Sequence, residues 1–219
     1  MPNEIEDVPD VSAEWYRQIT AFARTTPHWF QELAEVGTDA VLLVFAVLYL
    51  AAWWRARRRG DRTMALALLA PVAMVASYLV SEVVKEILRI DRPCRLVHGV
   101  VALAPCPEFG DWSLPSNHAT LAGATAVALA VAWRRTLLYV PVLAALGAFS
   151  RVFVGVHFPH DVLAGLLLGA VVAPLVMWAL AVPVTRLVGR WRAHATLRPL
   201  VLDTGTARRR DLFHGSPPR

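Results

Sequence analysis

Five stretches of the chain read as membrane helices. Ala40 to Trp54 is unbroken apolar sequence and extends back through Gly37, and Met64 to Val84 is apolar except for Ser77, Ser81 and Glu82. Ala119 to Trp133 is small and apolar, and Leu137 to Phe149 follows after Arg134, Arg135 and Thr136. Val162 to Val184 is the longest run, interrupted by prolines but not by a charge. A helix needs about 20 mainly apolar residues to cross a bilayer, so some of these runs are short for a full crossing. Ahead of them, Trp15, Ile19 and Phe22 form one helical stripe, and Thr26-Pro27 reads as the N-cap and first position of a second helix carrying Phe30 and Leu33. This predicts one or two helices lying in the membrane interface, anchored by Trp15 and Trp29; a short amphipathic helix packed on protein is the alternative. The expected fold is all-α, an integral membrane helical bundle of about five transmembrane helices plus an N-terminal interfacial amphipathic segment. Residues 1–39 are the interfacial part, 40–185 the transmembrane domain, and 186–219 a basic cytoplasmic tail, disordered from Thr204 onward and able to touch anionic lipid. The sequence shows no internal repeat.

Composition agrees with a membrane protein. Of 219 residues, 56% are apolar and 18% charged, with mean hydropathy +0.46, whereas a soluble domain is about a quarter charged. Disorder over most of the chain is excluded, and two cysteines are too few for a disulfide-dense scaffold. The net charge of +5 does not point to nucleic acid, because the basic residues sit in short clusters between apolar runs. These clusters set an orientation instead. Arg55, Arg57, Arg58, Arg59 and Arg62 follow the first span, Arg134 and Arg135 the third, and Arg186, Arg190, Arg192 and Arg198 the fifth. By the positive-inside rule these segments are cytoplasmic. The N-terminus, residues 89–118 and residues 151–161 are then outside in a multi-pass cell-membrane protein whose C-terminus is cytoplasmic. The acidic N-terminus carries no secretory signal pattern.

Cys94 and Cys106 both fall in the loop between the second and third spans. An oxidising compartment permits a disulfide there, with two unrelated thiols as the alternative. No Cys-x-x-Cys spacing supports a zinc site.

Ionisable side chains at membrane depth are costly and usually functional. Here they gather at the outer ends of the spans. Lys85, the one lysine, stands seven residues before Arg92, two turns of helix on. Pro115-Ser116-Asn117-His118 directly precedes the third span, and Ser150-Arg151, Gly155, His157 and Asp161 bridge the fourth and fifth. Lys85, Arg92 and Arg151 supply donors without acceptors, which suits the oxygens of a phosphoryl group. Ser116 and the backbone N–H groups at a helix start add neutral donors. His118 and His157 can divide nucleophilic and proton-transfer work, and Asp161 can orient one imidazole. Each residue also has a structural reading, as a snorkelling anchor or a helix cap. Arg89 stands four residues from Lys85 beside Glu82 and Glu86, where helix-surface pairing accounts for it as well as catalysis does, and His98 and His160 read as loop residues.

Together these residues resemble a known signature. Lys85-x6-Arg92-Pro93, Pro115-Ser116-Asn117-His118 and Ser150-Arg151-x3-Gly155-x-His157-x3-Asp161 are similar to the three motifs of the type 2 phosphatidic acid phosphatase superfamily. That family also includes the vanadium haloperoxidases and glucose-6-phosphatase. The resemblance covers residues 85–161. It implies a helical bundle, usually of six membrane helices, that removes phosphate from a lipid phosphate or diphosphate without a metal or cofactor. It further implies that His157 attacks to form a phosphohistidine and that Asp161 fixes its ring. His118 would protonate the leaving oxygen and then activate water, while Lys85, Arg92, Arg151 and Ser116 hold the phosphate. The chain departs from the commonest second motif in having Asn117 for glycine, which adds an amide as a further phosphate contact. It also offers five spans where the family has six. The expected substrate is a polyprenyl diphosphate such as the undecaprenyl carrier. Phosphatidic acid or phosphatidylglycerol phosphate is the second choice, and a non-enzymatic lipid- or anion-binding or transport protein is the rival from another class. The expected partners are membrane lipid and the lipid phosphate itself, with no nucleic acid and no protein partner inferred.

Overall fold

The structure, a computed structural model, describes residues 8–194 and 198–201, so the segment Thr204–Arg219 lies outside the described residues. These residues form helices joined by turns and loops, with no strand among them. Helix α1 spans Asp10–Thr25, α2 His28–Ala56, α3 Asp61–Leu88, the single turn α4 Pro93–Leu96, and α5 Asn117–Ala132. A 3-10 turn at Arg134–Leu138 leads into α6 (Val140–Phe153), then α7 (Pro159–Ala193) and the single turn α8 (Arg198–Val201).

The five expected apolar helices are α2, α3, α5, α6 and α7. Three of them, α2, α3 and α7, are long and apolar enough to cross a membrane. With 16 and 14 residues, α5 and α6 extend roughly 24 and 21 Å at 1.5 Å per residue. Both therefore fall short of a hydrocarbon core of about 30 Å. Leu43, Val47 and Leu50 on α2, and Leu163, Leu167, Val171 and Leu175 on α7, are exposed in stripes along the outside. Lipid is the solvent such stripes fit.

The structure corrects several expected boundaries. Among the described residues Phe30 and Leu33 do not lie on a separate second helix but in the first turns of α2, which runs unbroken into the apolar stretch. Gln31, Glu32 and Glu35 lower the apolarity of this stretch but favour helix, so the helix continues through it. Pro27 is its N-cap, and the extended backbone at Thr26 ends α1. The fourth apolar helix starts at Val140 rather than Leu137, which leaves Ser150 and Arg151 inside α6. Helix α7 itself continues past residue 185 to Ala193. Lys85 and Arg92 do not share a helix, because Arg89 adopts a left-handed conformation (φ 50°) and closes α3.

Helix α5 is the centre of the bundle, with Ala122, Ala124, Ala128 and Leu129 buried among α2, α3, α6 and α7. Its contact with α7 is close enough to require glycine. A Cβ on Gly169 would lie 2.1 Å from the carbonyl oxygen of Thr120, and one on Gly165 would lie 2.5 Å from that of Ser116. The two glycines stand four residues apart on one face of α7, the small-residue spacing that lets membrane helices touch backbone to backbone. This contact sets the start of α5 against the start of α7, where the backbone N–H of Ser116 donates to the carbonyl of Asp161 at 3.1 Å.

Candidate active site

The end of α3, the start of α5 and the α6–α7 turn meet at one end of the bundle. Lys85, in the last turn of α3, and Arg92, just before α4, are both buried. They converge on a residue that the sequence did not single out. Asp111 Oδ1 accepts from Lys85 Nζ at 2.9 Å and pairs with an Arg92 terminal nitrogen at 2.8 Å, while Arg92 Nε donates to the Asp111 carbonyl at 2.8 Å. Burial alone would raise the Asp111 carboxyl, but the bond from Lys85 and the charge of Arg92 carry it below its ordinary value. A carboxylate oxygen held between two cations occupies the kind of position a phosphate oxygen would take.

Behind Arg92 lies His157, which is fully buried. Arg92 Nη1 lies 2.9 Å from His157 Nε2. A guanidinium only donates, so Nε2 carries the lone pair and the ring proton sits on Nδ1. Nδ1 in turn faces Asp161 Oδ2 at 3.5 Å and Ser113 Oγ at 3.4 Å. That same carboxylate oxygen accepts from Ser113 Oγ at 2.5 Å and from the backbone N–H of Phe158 at 2.8 Å. Asp161 therefore caps α7 and orients the imidazole with one oxygen. Burial pushes the His157 ring well below its ordinary pKa, outweighing the bond to Asp161, and the charges of Arg92 and Arg151 act in the same direction as burial. The ring is neutral at neutral pH, with a lone pair aimed into a cationic pocket.

The approach to this site is made by Gly155, whose φ of 87° is the left-handed region that glycine adopts without strain. A Cβ there would lie 2.8 Å from that of Ala102. The loop from α4 to α5 packs on this turn, with Leu103 and Ala104 donating to the carbonyl of Val154 at 3.0 and 3.1 Å. Cys94 and Cys106 are joined as a disulfide within that loop, their Cα atoms 6.0 Å apart.

His118, in the first turn of α5, faces α2. Its Nε2 lies 2.9 Å from Asp39 Oδ1. The adjacent Thr38 is buried, and its hydroxyl accepts from Arg151 Nη1 at 3.1 Å and from Ser150 Oγ at 2.9 Å. Ser116 is buried and its hydroxyl has no partner among the described residues. Asn117 is engaged away from the cations: its Oδ1 accepts from Ser81 at 2.8 Å and its Nδ2 donates to Glu82 at 2.5 Å, both on α3. The expected extra amide contact to phosphate is thus occupied by α3. His160 lies close to Asp161, its Nε2 3.2 Å from Oδ1, with Nδ1 2.7 Å from Ser12 Oγ of α1, while His98 is exposed.

Asp39, Asp111 and Ser113 are the side chains that sequence reasoning missed. Asp111 and Ser113 lie in a polar loop where a carboxylate or hydroxyl carries no signal. For Asp39 a signal existed, since Thr38-Asp39 is a polar pair immediately ahead of the apolar run from Ala40.

The model of the PAP2 superfamily matches residues 66–185. An undecaprenyl-diphosphatase of Sulfolobus acidocaldarius is 34% identical over 141 residues, 64% of this chain and 60% of that protein. The undecaprenyl-diphosphatase BcrC of Bacillus subtilis is 30% identical over 138 residues, 62% of this chain and 67% of its own length. Among solved structures, the PAP2-type phosphatidylglycerolphosphate phosphatase of Bacillus subtilis superposes with a TM-score of 0.57 at 23% identity, covering 78% of this chain and 87% of that one. Aquifex aeolicus LpxE gives 0.59 at 21% identity, covering 80% of this chain and 98% of its own. The motifs, the helical bundle and a family match over more than half the chain agree: this protein belongs to the PAP2 superfamily.

Proposed function

We propose that the chain is a membrane phosphatase that removes a phosphate from a lipid phosphate or diphosphate through a phosphohistidine, with undecaprenyl diphosphate as its substrate. The observation that carries this reading is the neutral, buried His157, whose Nε2 lone pair faces Arg92 while Asp161 and Ser113 hold the other nitrogen. A pure anion-binding or transport site has no use for that arrangement. The substrate's phosphate replaces Asp111 between Lys85 and Arg92, and Arg151 and Ser116 complete the cradle. His157 Nε2 attacks the terminal phosphorus, the P–N bond forms as that phosphorus loses its bond to the leaving oxygen (the bridging oxygen of a diphosphate or the ester oxygen of a monophosphate), and His118 gives its proton to that oxygen. Water then attacks phosphorus, its proton passes to His118, and the P–N bond breaks to return neutral His157. The charge that develops on the phosphoryl oxygens is offset by the cations. Activity should therefore persist in excess chelator; a strict Mg²⁺ requirement would overturn this assignment.

The choice of a polyprenyl diphosphate is supported by the names of the two curated relatives. An outward-facing site is supported by the opposite end of the bundle, where Arg192 pairs with Asp61 at 2.7 Å and Arg55 lies over the Trp133 ring. Positive charge of this kind marks the cytoplasmic side. The test is phosphate release by the purified protein from undecaprenyl diphosphate, phosphatidic acid and phosphatidylglycerol phosphate in matched detergent. The expected result is fastest release from the diphosphate and a loss of roughly a thousandfold or more in His157→Ala. Equal background release by both proteins from every lipid would overturn the enzyme reading, and a preference for either monoester would overturn the substrate.

A further inference from the structure

We propose that Asp39 is the positioning residue of the acid–base histidine, so that α2, which lies before the family-matched region, completes a second histidine–carboxylate pair. The inference rests on the phosphatase reading above and assigns a role that no motif carries. Asp39 Oδ1 lies 2.9 Å from His118 Nε2. A carboxylate only accepts, so the bond fixes the ring proton of neutral His118 on Nε2 and leaves Nδ1, which has no partner among the described residues, to exchange a proton with substrate and water.

The pair is not a chance meeting of surface charges. Asp39 itself is largely exposed, but its neighbour Thr38 is buried and held by both Ser150 and Arg151 of α6. These two hydrogen bonds from α6 fix the register of α2, and the next residue then meets His118. The charge balance requires it as well. When His118 is protonated it stands in the field of two guanidinium groups, Arg151 and Arg92, and Asp39 is the anion on that face that offsets them. His157 has Asp161 and His118 has Asp39: one carboxylate orients the nucleophile, the other the proton donor.

Leaving-group dependence separates this role from a structural one. Cleavage of phosphatidic acid expels an alkoxide and needs the proton, whereas p-nitrophenyl phosphate expels a stable phenolate and does not. In Asp39→Asn, kcat/KM should fall on the order of 10- to 100-fold for phosphatidic acid and less than about threefold for p-nitrophenyl phosphate, with Asp39→Glu recovering part of the loss. Equal losses on the two substrates, or no loss on phosphatidic acid, would overturn the assignment. If wild-type protein releases phosphate from neither ester nor from undecaprenyl diphosphate, the phosphatase reading itself fails, an outcome distinct from an active enzyme indifferent to Asp39.

Discussion

Two side chains decide how the site rests between turnovers. Arg92 donates to Asp111 and to His157 at once, so both the proposed phosphate position and the lone pair of the proposed nucleophile are engaged by groups of the protein itself. Asp111 is half-exposed, whereas Lys85 and Arg92 are buried, so the carboxylate is the member free to leave. Asp111→Asn should remove a competing charge and tighten inhibition by orthovanadate by about two- to fivefold, the size expected for one partly exposed ion pair. Weaker inhibition would instead make Asp111 part of the cradle. His157 offers a direct spectroscopic check. At pH 5.5 a free imidazole, with its ordinary pKa near 6.5, is about nine-tenths protonated. The lowered His157 pKa keeps its ring neutral there, because a depressed value postpones protonation to more acidic pH. Nitrogen-15 spectra of labelled protein should show one histidine still neutral at pH 5.5 with its proton on Nδ1; a His157 resonance that titrates near 6.5 would contradict the geometry.

The contact between α5 and α7 sets the spacing of the chemistry. His118 begins one helix, His157 and Asp161 stand at the start of the other, and the Gly165–Gly169 face fixes how far apart the helices lie. Gly169→Val should cost about 1–3 kcal/mol or more through overpacking against backbone that cannot yield. The check is the thermal midpoint in detergent, with Gly37→Ala as the control, since nothing lies within 4 Å of a Cβ at Gly37. A Gly169→Val midpoint equal to that of the control would remove the close-contact account. This pair was present in the sequence, but only as two glycines in an apolar run; what makes them necessary is the carbonyl oxygens of Ser116 and Thr120, about fifty residues earlier. The motif residues were easier to read, because a lysine, an arginine or a histidine at the end of an apolar stretch has few reasons to be there. Of their acidic partners Asp161 was legible from its spacing to His157, Asp39 left only the trace of a polar pair before an apolar run, and Asp111 left none. The roles of Asp39 and Asp111 become readable once the folded chain sets them against His118 and Lys85.

The helical class and the five apolar helices followed from hydropathy alone, whereas the unbroken length of α2 did not, because helix propensity outside the hydrocarbon leaves no apolar trace. Orientation is testable with single cysteines, since the native pair is already bonded. Phe109→Cys, at an exposed position near the site, should react with an impermeant maleimide in intact cells. Gly60→Cys, among the arginines between α2 and α3, should react only after permeabilisation; the reverse pattern would turn the protein over. Helix α1 has two faces with different duties. Val11, Trp15 and Phe22 are exposed, while Tyr16 is buried and its hydroxyl donates to the carbonyl of Gly155 at 2.9 Å, two residues from His157. The turn that carries His157 is thereby leashed to whatever surrounds the outer face of α1. Turnover should accordingly respond to the host membrane as well as to substrate: a change of rate between micelles and lipid nanodiscs that shrinks in Tyr16→Phe would reveal the bilayer itself as an effector of the reaction.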